Sequence, residues 1–144
     1  MRNLLALMIL AVALGSGPAK AEAPRAATLY KNPQCGCCEA YADYLRASGF
    51  EVTVEPTHDL PLIKRQYGVP GLLEGCHTTL VDGYVVEGHV PVNTLIRLLT
   101  ERPDIKGISL PGMPEGSPGM SGEKTEPFTI YEIGDGPTKV YGVE

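Results

Sequence analysis

The sequence predicts an α/β domain with the element order β-α-β-α-β-β-α, followed by a loop and a terminal β-hairpin. Short segments in which apolar and polar residues alternate, as in β-strands, are separated by segments with helical spacing. Glycine and proline mark most boundaries between these segments. Asp82 and Gly83 join two strand-like segments, and an Asp-Gly pair is the strongest short-range signal of a hairpin.

The first half of the domain is predicted to be a β-α-β unit. The apolar run 26–30 predicts a buried strand, and the polar residues 31–34 predict a turn after it. A helix over about 38–48 follows, and Gly49 is placed to end it in a left-handed conformation. Alternation over 51–55 indicates a half-exposed second strand.

The second half is predicted to contain two helices and a hairpin. The second helix covers about 60–67, with Asp59 as its N-cap. Residues 78–81 and 84–87 form the two strands of the hairpin. A third helix begins at Pro91, because apolar residues then recur at helical spacing.

The C-terminal segment is predicted to be a loop followed by a second hairpin. Glycine and proline supply six of the eleven residues in 110–120, a composition that disfavours a helix or a central strand. Met113 and Met120 each end a Pro-Gly-Met repeat in this loop. Strand-like segments at 128–133 and 139–143, separated by a Gly-rich turn, predict the hairpin.

The N-terminal segment has the pattern of a secretory signal peptide. Arg2 precedes an apolar run over 4–14, and small residues lead to a cleavage site after Ala21. The apolar run is shorter than the roughly 20 residues that span a bilayer, so no membrane anchor is expected after cleavage. The mature chain is of single-domain size.

The charge of the mature chain excludes some classes of partner. Cleavage removes Arg2 and Lys20 from 12 Lys and Arg, leaving 10 against 17 Asp and Glu, so the net charge moves from −5 to −7. An acidic chain without a basic run is a poor ligand for nucleic acid or for an anionic membrane. We therefore expect neither partner.

Three of the four cysteines lie within four consecutive residues, after the first strand and at the start of the first helix. Cys35 and Cys38 have the spacing of a redox dithiol, whereas Cys35 and Cys37 have a tighter spacing that suits two metal–thiolate bonds. If the chain formed disulfides, only the Cys35–Cys38 bridge would be comfortable among near neighbours. The residues alone leave disulfide chemistry and metal binding open.

Several separated motifs together resemble a known family. They are the Cys-Gly-Cys-Cys segment 35–38, Cys-His-Thr-Thr at 76–79, Gly-His-Val-Pro at 88–91 and the Pro-Gly-Met loop 110–120. The chain is similar over nearly all of its mature length to the family catalogued as domain of unknown function 411, which includes periplasmic copper-resistance proteins.

The resemblance implies a thioredoxin-like metal-binding domain at 22–105, with the loop and hairpin of 106–144 packed on it. It implies a periplasmic location and a role in copper resistance, with copper efflux or other copper-handling proteins as partners. In such a fold, Cys76 would approach the cysteines of the first helix although it is distant in sequence.

The choice of metal follows from the softness of the ligands. Four thiolates alone do not distinguish Cu(I), zinc and iron–sulfur clusters, but a thioether suits Cu(I) better than zinc. Met113 and Met120, the two methionines left after cleavage, favour copper. His77, next to Cys76, is a further candidate ligand, and either His77 or, less favoured, His89 would suit the oxidised ion.

We therefore expect a copper site in which the loop folds over the cysteines as a lid, with the thioethers pointing inward. Thiols at a helix N-terminus are expected to have a lowered pKa and to be ready for Cu(I). Cycling between Cu(I) and Cu(II) is compatible with this ligand set, and non-enzymatic copper binding is slightly favoured over turnover. The alternative is a thiol-disulfide oxidoreductase that uses Cys35 and Cys38. The candidate metal ligands are Cys35, Cys37, Cys38, Cys76, Met113, Met120 and His77.

Overall fold

The computed structural model describes residues 23–144. The predicted signal peptide and its cleavage site after Ala21 lie outside the described residues. Among those residues, no helix is both long and apolar enough to cross a membrane. The elements are β1 (Arg25–Lys31), α1 (Gly36–Ala47), β2 (Phe50–Pro56), α2 (Leu60–Gln66), a 3₁₀ turn (Gly71–Leu73), β3 (His77–Val81), β4 (Tyr84–Glu87), α3 (Val92–Glu101), β5 (Gly107–Ser109), β6 (Thr129–Ile133) and β7 (Val140–Val143).

All strands in the described part of the chain belong to one mixed sheet, in the order β2-β1-β3-β4-β5-β6-β7. The pairs β1–β2 and β4–β5 are parallel, and the other neighbours are antiparallel. The predicted α/β class and the order β-α-β-α-β-β-α are therefore confirmed. The C-terminal hairpin extends the same sheet through β5.

The core lies on both faces of this sheet. On one face, α1 and α3 pack against β1 and β4 through side chains such as Leu45, Leu95 and Val86. On the other face, a smaller cluster includes Val85 and Leu73. Val85 and Val86 are neighbours in β4 and point to opposite faces, as the pleat of a strand requires.

Local turn chemistry agrees with the sequence at two positions. Asp82 and Gly83 both have positive φ, 49° and 85°, the backbone signature of a tight I′ hairpin turn. Gly49 has a φ of 91° directly after the C-cap of α1, as predicted. Helix α1 begins at Gly36, two residues earlier than predicted, so Cys37 and Cys38 lie in its first turn.

Asp59 is the N-cap residue of α2, as predicted, although its side chain makes no capping hydrogen bond. Its backbone carbonyl accepts hydrogen bonds from the amides of Leu62 and Ile63. Strand β5 was missed, because its three residues are too few for a periodic pattern and were assigned to the connection before the loop.

Candidate metal centre

The first three cysteines are presented by the turn between β1 and α1. The amide of Cys35 donates to the carbonyl of Asn32 at 3.0 Å, and the Asn32 side chain accepts from the amide of Gln34 at 3.0 Å. An asparagine side chain that accepts from the amide two residues later forms an Asx turn, and such a turn depends only on neighbouring residues. Cys35 is the N-cap residue of α1 and has an extended backbone conformation, so the helix starts immediately after it.

Lys31 lies beneath this turn and is only 2% exposed. Its Nζ atom donates to the carbonyls of Asn32, Pro33 and Cys35, each at 3.3 Å, and forms an ion pair with Glu39 at 3.0 Å. A buried ammonium needs such partners, because an unpaired buried charge is costly. The ion pair joins the end of β1 to the first turn of α1 and fixes the segment that carries the cysteines.

Cys35 and Cys38 are joined by a disulfide, with a Cα–Cα distance of 5.4 Å. This is the pairing that spacing alone identified as comfortable. Cys37 and Cys76 are free thiols. Two of the three thiols at the helix N-terminus, for which a lowered pKa was predicted, are therefore in the disulfide in this structure.

Cys76 approaches the other cysteines because β3 pairs with β1. In the antiparallel register Lys31 lies opposite His77, so the residue before β3 meets the turn after β1. The Sγ atoms of Cys38 and Cys76 are 3.7 Å apart. The four sulfur atoms, of Cys35, Cys37, Cys38 and Cys76, all lie within 4.8 Å of one another.

Two histidines adjoin the same sulfur. The Nε2 atom of His89 lies 2.9 Å from Cys76 Sγ, and the Nδ1 atom of His77 lies 3.3 Å from it. Both rings are buried and pack against Tyr41. Cys76, His77 and His89 form a second group whose donor atoms lie within 4.8 Å of one another. Cys76 therefore belongs to both groups.

Burial controls protonation at this end of the centre. Burial raises the pKa of the Cys76 thiol to about 12, and the neighbouring Cys37 adds to the rise. Burial also lowers the pKa of His89 and, aided by the nearby His89 and Lys64, lowers the pKa of His77 well below its usual value. At neutral pH this end therefore contains a protonated thiol and two neutral imidazoles. Metal binding here has to release the thiol proton.

The Nε2 atom of His77 is buried and has no hydrogen-bond partner. Buried polar atoms are usually paired, so an unpaired ring nitrogen beside a cysteine calls for a functional or structural explanation. Of the two nitrogens of the His77 ring, Nδ1 is the one that faces Cys76 Sγ and the sulfur cluster.

A buried ion pair supports the two segments that carry Cys76 and His89. Lys64 and Glu87 are 4% and 0% exposed, and their charged groups are in direct contact. The Glu87 carboxylate also accepts from the amide of Gly75 and from the hydroxyl of Thr78, both at 2.7 Å. Burial raises the pKa of Glu87, while the Lys64 charge opposes the rise. One carboxylate thus ties α2, β3 and the residue before Cys76 to β4.

The Pro-Gly-Met loop lies against the centre through its backbone. The carbonyl of Pro118 is 2.6 Å from His89 Nδ1, and Gly119 lies against the backbone of α1 at Tyr41 and Cys37. Met120 is partly buried, whereas Met113 is 54% exposed. The predicted inward orientation is therefore not observed for Met113. The role of either thioether as a ligand stays a prediction.

The comparisons with known proteins fit this geometry. A family model described as "Protein of unknown function, DUF411" matches residues 73–120. Two solved structures, titled copper resistance protein copG, form 2 and form 1, are each 36% identical to this chain, with TM-scores of 0.78 and 0.77. In both cases the match covers 84% of this chain and 98% of that chain. The chain belongs to the DUF411 family, together with copG. No curated protein sequence matches it significantly.

The family membership predicted from the sequence is thus confirmed. This DUF411 protein has copper resistance proteins as its structural relatives, and its cysteine cluster is compatible with metal binding. The structure brings together five of the seven candidate ligands: the four cysteines and His77.

The sequence favoured His77 over His89 as a ligand, yet His89 is the nearer ring: its Nε2 atom is 2.9 Å from Cys76 Sγ. The predicted hairpin contained the signal for this contact. Thr78 lies opposite Glu87, so the residues just before Thr78 and those just after Glu87 lie at the same end of the two strands. Lys31 and Lys64 were read only as part of the overall charge, since nothing in a sequence marks a lysine as buried.

Proposed function

We propose that this DUF411 protein is a copper-binding protein of a copper resistance system and holds Cu(I) through Cys35, Cys37, Cys38 and Cys76. The observation that carries the proposal is the convergence of four sulfur atoms within 4.8 Å from two segments of the chain. Thiolates are soft ligands that select Cu(I), zinc or iron–sulfur clusters. The two structural relatives are copper resistance proteins by name, which favours copper among these metals.

Full use of the four sulfur ligands requires reduction of the Cys35–Cys38 disulfide. Reduction takes two electrons and two protons from a dithiol donor and yields two thiols. The reverse step balances with copper: oxidation of the two thiolates to the disulfide releases two electrons, which reduce two Cu(II) ions to Cu(I). Reduction of Cu(II) to Cu(I) by this thiol pair is therefore part of the proposal, and a complete Cu(I)/Cu(II) cycle takes, in addition, a one-electron oxidant from outside the protein.

The histidines would extend this ligand set toward Cu(II). Imidazole nitrogen suits Cu(II) better than thioether sulfur does, and both rings contact Cys76. Met120 is partly buried in the loop that contacts α1, and we assign it the thioether contact with Cu(I). We place the protein in the periplasm, after signal-peptide cleavage, where copper efflux or other copper-handling proteins would exchange the ion with it.

A second candidate function is thiol-disulfide exchange by Cys35 and Cys38. The disulfide between them favours this candidate, as does the arrangement in which Cys35 is partly exposed while Cys38 is fully buried. An exchanger needs an accessible attacking thiol and a resolving thiol. Cys37 and Cys76, two more thiols in contact with the pair, have no role in that reaction.

A Cys76→Ser variant separates the two functions. If the protein is a copper site, the variant will bind fewer Cu(I) equivalents, or bind them far more weakly, than the wild type in an anaerobic titration of the reduced protein. If it is an exchanger, the variant will retain the rate at which the reduced protein opens a test disulfide, such as that of insulin. Unchanged Cu(I) binding together with retained exchange would contradict the proposal.

A further inference from the structure

The contact between the loop and His89 is made by a single tight turn. We propose that Pro118 and Gly119 form a strap that positions His89, with the Pro118 carbonyl holding the ring so that its Nε2 atom faces Cys76. The part of this inference that concerns copper rests on the proposed function. The part that concerns the orientation of the ring does not.

The hydrogen bond fixes the tautomer of His89. The ring atom Nδ1 lies 2.6 Å from the Pro118 carbonyl oxygen, and a carbonyl can only accept, so Nδ1 carries the hydrogen. A neutral imidazole has one N–H, so Nε2 has a free lone pair. Nε2 lies 2.9 Å from Cys76 Sγ, with its lone pair facing the sulfur, and it is the ring atom that can bind a metal.

The turn itself has the sequence that its geometry demands. The amide of Met120 donates to the carbonyl of Ser117 at 2.8 Å, which places Pro118 and Gly119 at the two central positions of a β-turn. Proline at the first and a glycine of positive φ at the second, here 83°, are characteristic of a type II turn. A type II turn differs from a type I turn by a flip of the central peptide, which here is Pro118–Gly119. This flip determines the direction in which the Pro118 carbonyl points.

Gly119 also makes close contact with α1. A Cβ atom at this position would lie 2.7 Å from the amide nitrogen of Tyr41 and 3.0 Å from the carbonyl oxygen of Cys37. Both neighbours are backbone atoms of the helix, so they cannot move aside as a flexible side chain would. Only glycine therefore satisfies both the turn and the contact. The strap joins the helix that carries Cys37 to the ring that faces Cys76.

Ser117 anchors the other end of the strap. It is only 1% exposed, and its hydroxyl donates to the carbonyl of Pro114 at 2.6 Å. A carbonyl that orients a metal-binding imidazole through its other ring nitrogen is a common supporting contact, and its loss typically lowers metal affinity about 10- to 100-fold. This effect is expected of Pro118 although it is not itself a ligand.

Two glycine variants test the strap. Gly119→Ala introduces both the clash with α1 and an unfavourable φ. Gly112→Ala is the matched control, because Gly112 has a similar φ of 71° in the same loop but has open space around its Cβ position. The ring is observed by NMR of the metal-free protein labelled with ¹⁵N at histidine. Cu(I) affinity is then measured by competition with a Cu(I) chelator on the reduced protein.

We expect the hydrogen of wild-type His89 to be on Nδ1, and expect Gly119→Ala to lose this signature while Gly112→Ala keeps it. We also expect Gly119→Ala to bind Cu(I) about 10- to 100-fold more weakly than Gly112→Ala. A wild-type ring with its hydrogen on Nε2 would overturn the strap without any variant, even if Gly119→Ala does not fold. Equal tautomer and affinity in the two variants would also overturn it. If the tautomer behaves as expected but the wild type binds no Cu(I), the strap stands and the proposed function fails.

Discussion

Two regions of the chain contribute to the centre, and they differ in how they are held. The segment with Cys35, Cys37 and Cys38 is a local turn at a helix start, and two of these three cysteines remain partly exposed. The region of Cys76, His77 and His89 is assembled from the start of β3, the segment that follows β4 and the loop, and both histidines are fully buried.

Each region also has its own buried lysine, used differently. Lys31 binds backbone carbonyls of the turn and pairs with Glu39, whose side chain is half-exposed. Lys64 pairs with Glu87, and both are buried. The first region can therefore change redox state near solvent, whereas the second is a rigid, desolvated support. The comparison predicts that disruption of the second region costs more stability.

Lys64→Met should have the largest effect, because it leaves the Glu87 carboxylate buried without its cation. We expect the free energy of unfolding to fall by about 3–5 kcal/mol in chemical denaturation. The double variant Lys64→Met/Glu87→Gln should recover part of the loss. Lys106→Met removes a half-exposed partner of Asp135 and should cost less than about 1 kcal/mol. A Lys64→Met loss as small as that of Lys106→Met would contradict the comparison.

Lys31→Met should have a smaller effect, because the backbone carbonyls that lose the hydrogen bonds of Lys31 lie in a turn with exposed residues. Loss of its charged hydrogen bonds should lower the free energy of unfolding by about 2–3 kcal/mol. Lys139→Met, at an exposed position, serves as the control in the same denaturation series. If Lys31→Met is more damaging than Lys64→Met, the ranking of the two regions is wrong.

The buried histidines should make the stability depend on pH. Their pKa values are lowered in the folded protein, mainly by burial, and are about 6.5 in the unfolded chain. As the pH falls below about 6.5, the unfolded chain binds protons that the folded protein does not, so stability is lost. The slope is up to about 1.4 kcal/mol per pH unit for each histidine.

His77→Gln isolates one histidine in this experiment. The difference between the pH profiles of wild type and variant removes the opposite contribution of Glu87, whose pKa is raised by burial. The difference should become independent of pH above about pH 7.5, where histidine is neutral in both states. Parallel profiles at pH 5 to 6.5 would contradict the burial of a neutral ring.

Substitution of the two methionines should have the smallest effects in this series. Met113→Leu should leave Cu(I) affinity and its selectivity over zinc nearly unchanged, because Met113 is 54% exposed. Met120→Leu should weaken Cu(I) binding measurably, since Met120 is partly buried directly after the glycine that packs on α1. Competition titrations with Cu(I) and with zinc measure both effects. The assignment of Met120 as a ligand fails if the two variants behave alike.

Features with a local cause could be predicted from the sequence. The Asp82-Gly83 hairpin, the end of α1 at Gly49 and the pairing of Cys35 with Cys38 all depend on neighbours in the chain. The approach of Cys76 depends on strand pairing and was predicted from family resemblance rather than from spacing.

The remaining features depend on the packed fold. His89 meets Cys76 only through the β3–β4 register, and β5 is a strand because Gly107 can lie against the backbone of Val85. The burial of Lys31 and Lys64 follows from packing of whole elements. A sequence pattern specifies which residues are apolar, but not which charged ones the fold will enclose.

The most direct test of the central claim is an anaerobic Cu(I) titration of the reduced mature protein, with free thiols counted by alkylation before and after loading. A four-cysteine copper site should bind Cu(I) tightly and protect Cys35, Cys37, Cys38 and Cys76 from alkylation together. If Cu(I) binds weakly and Cys37 and Cys76 stay reactive while Cys35 and Cys38 return to a disulfide on oxidation, the four-cysteine copper site is wrong.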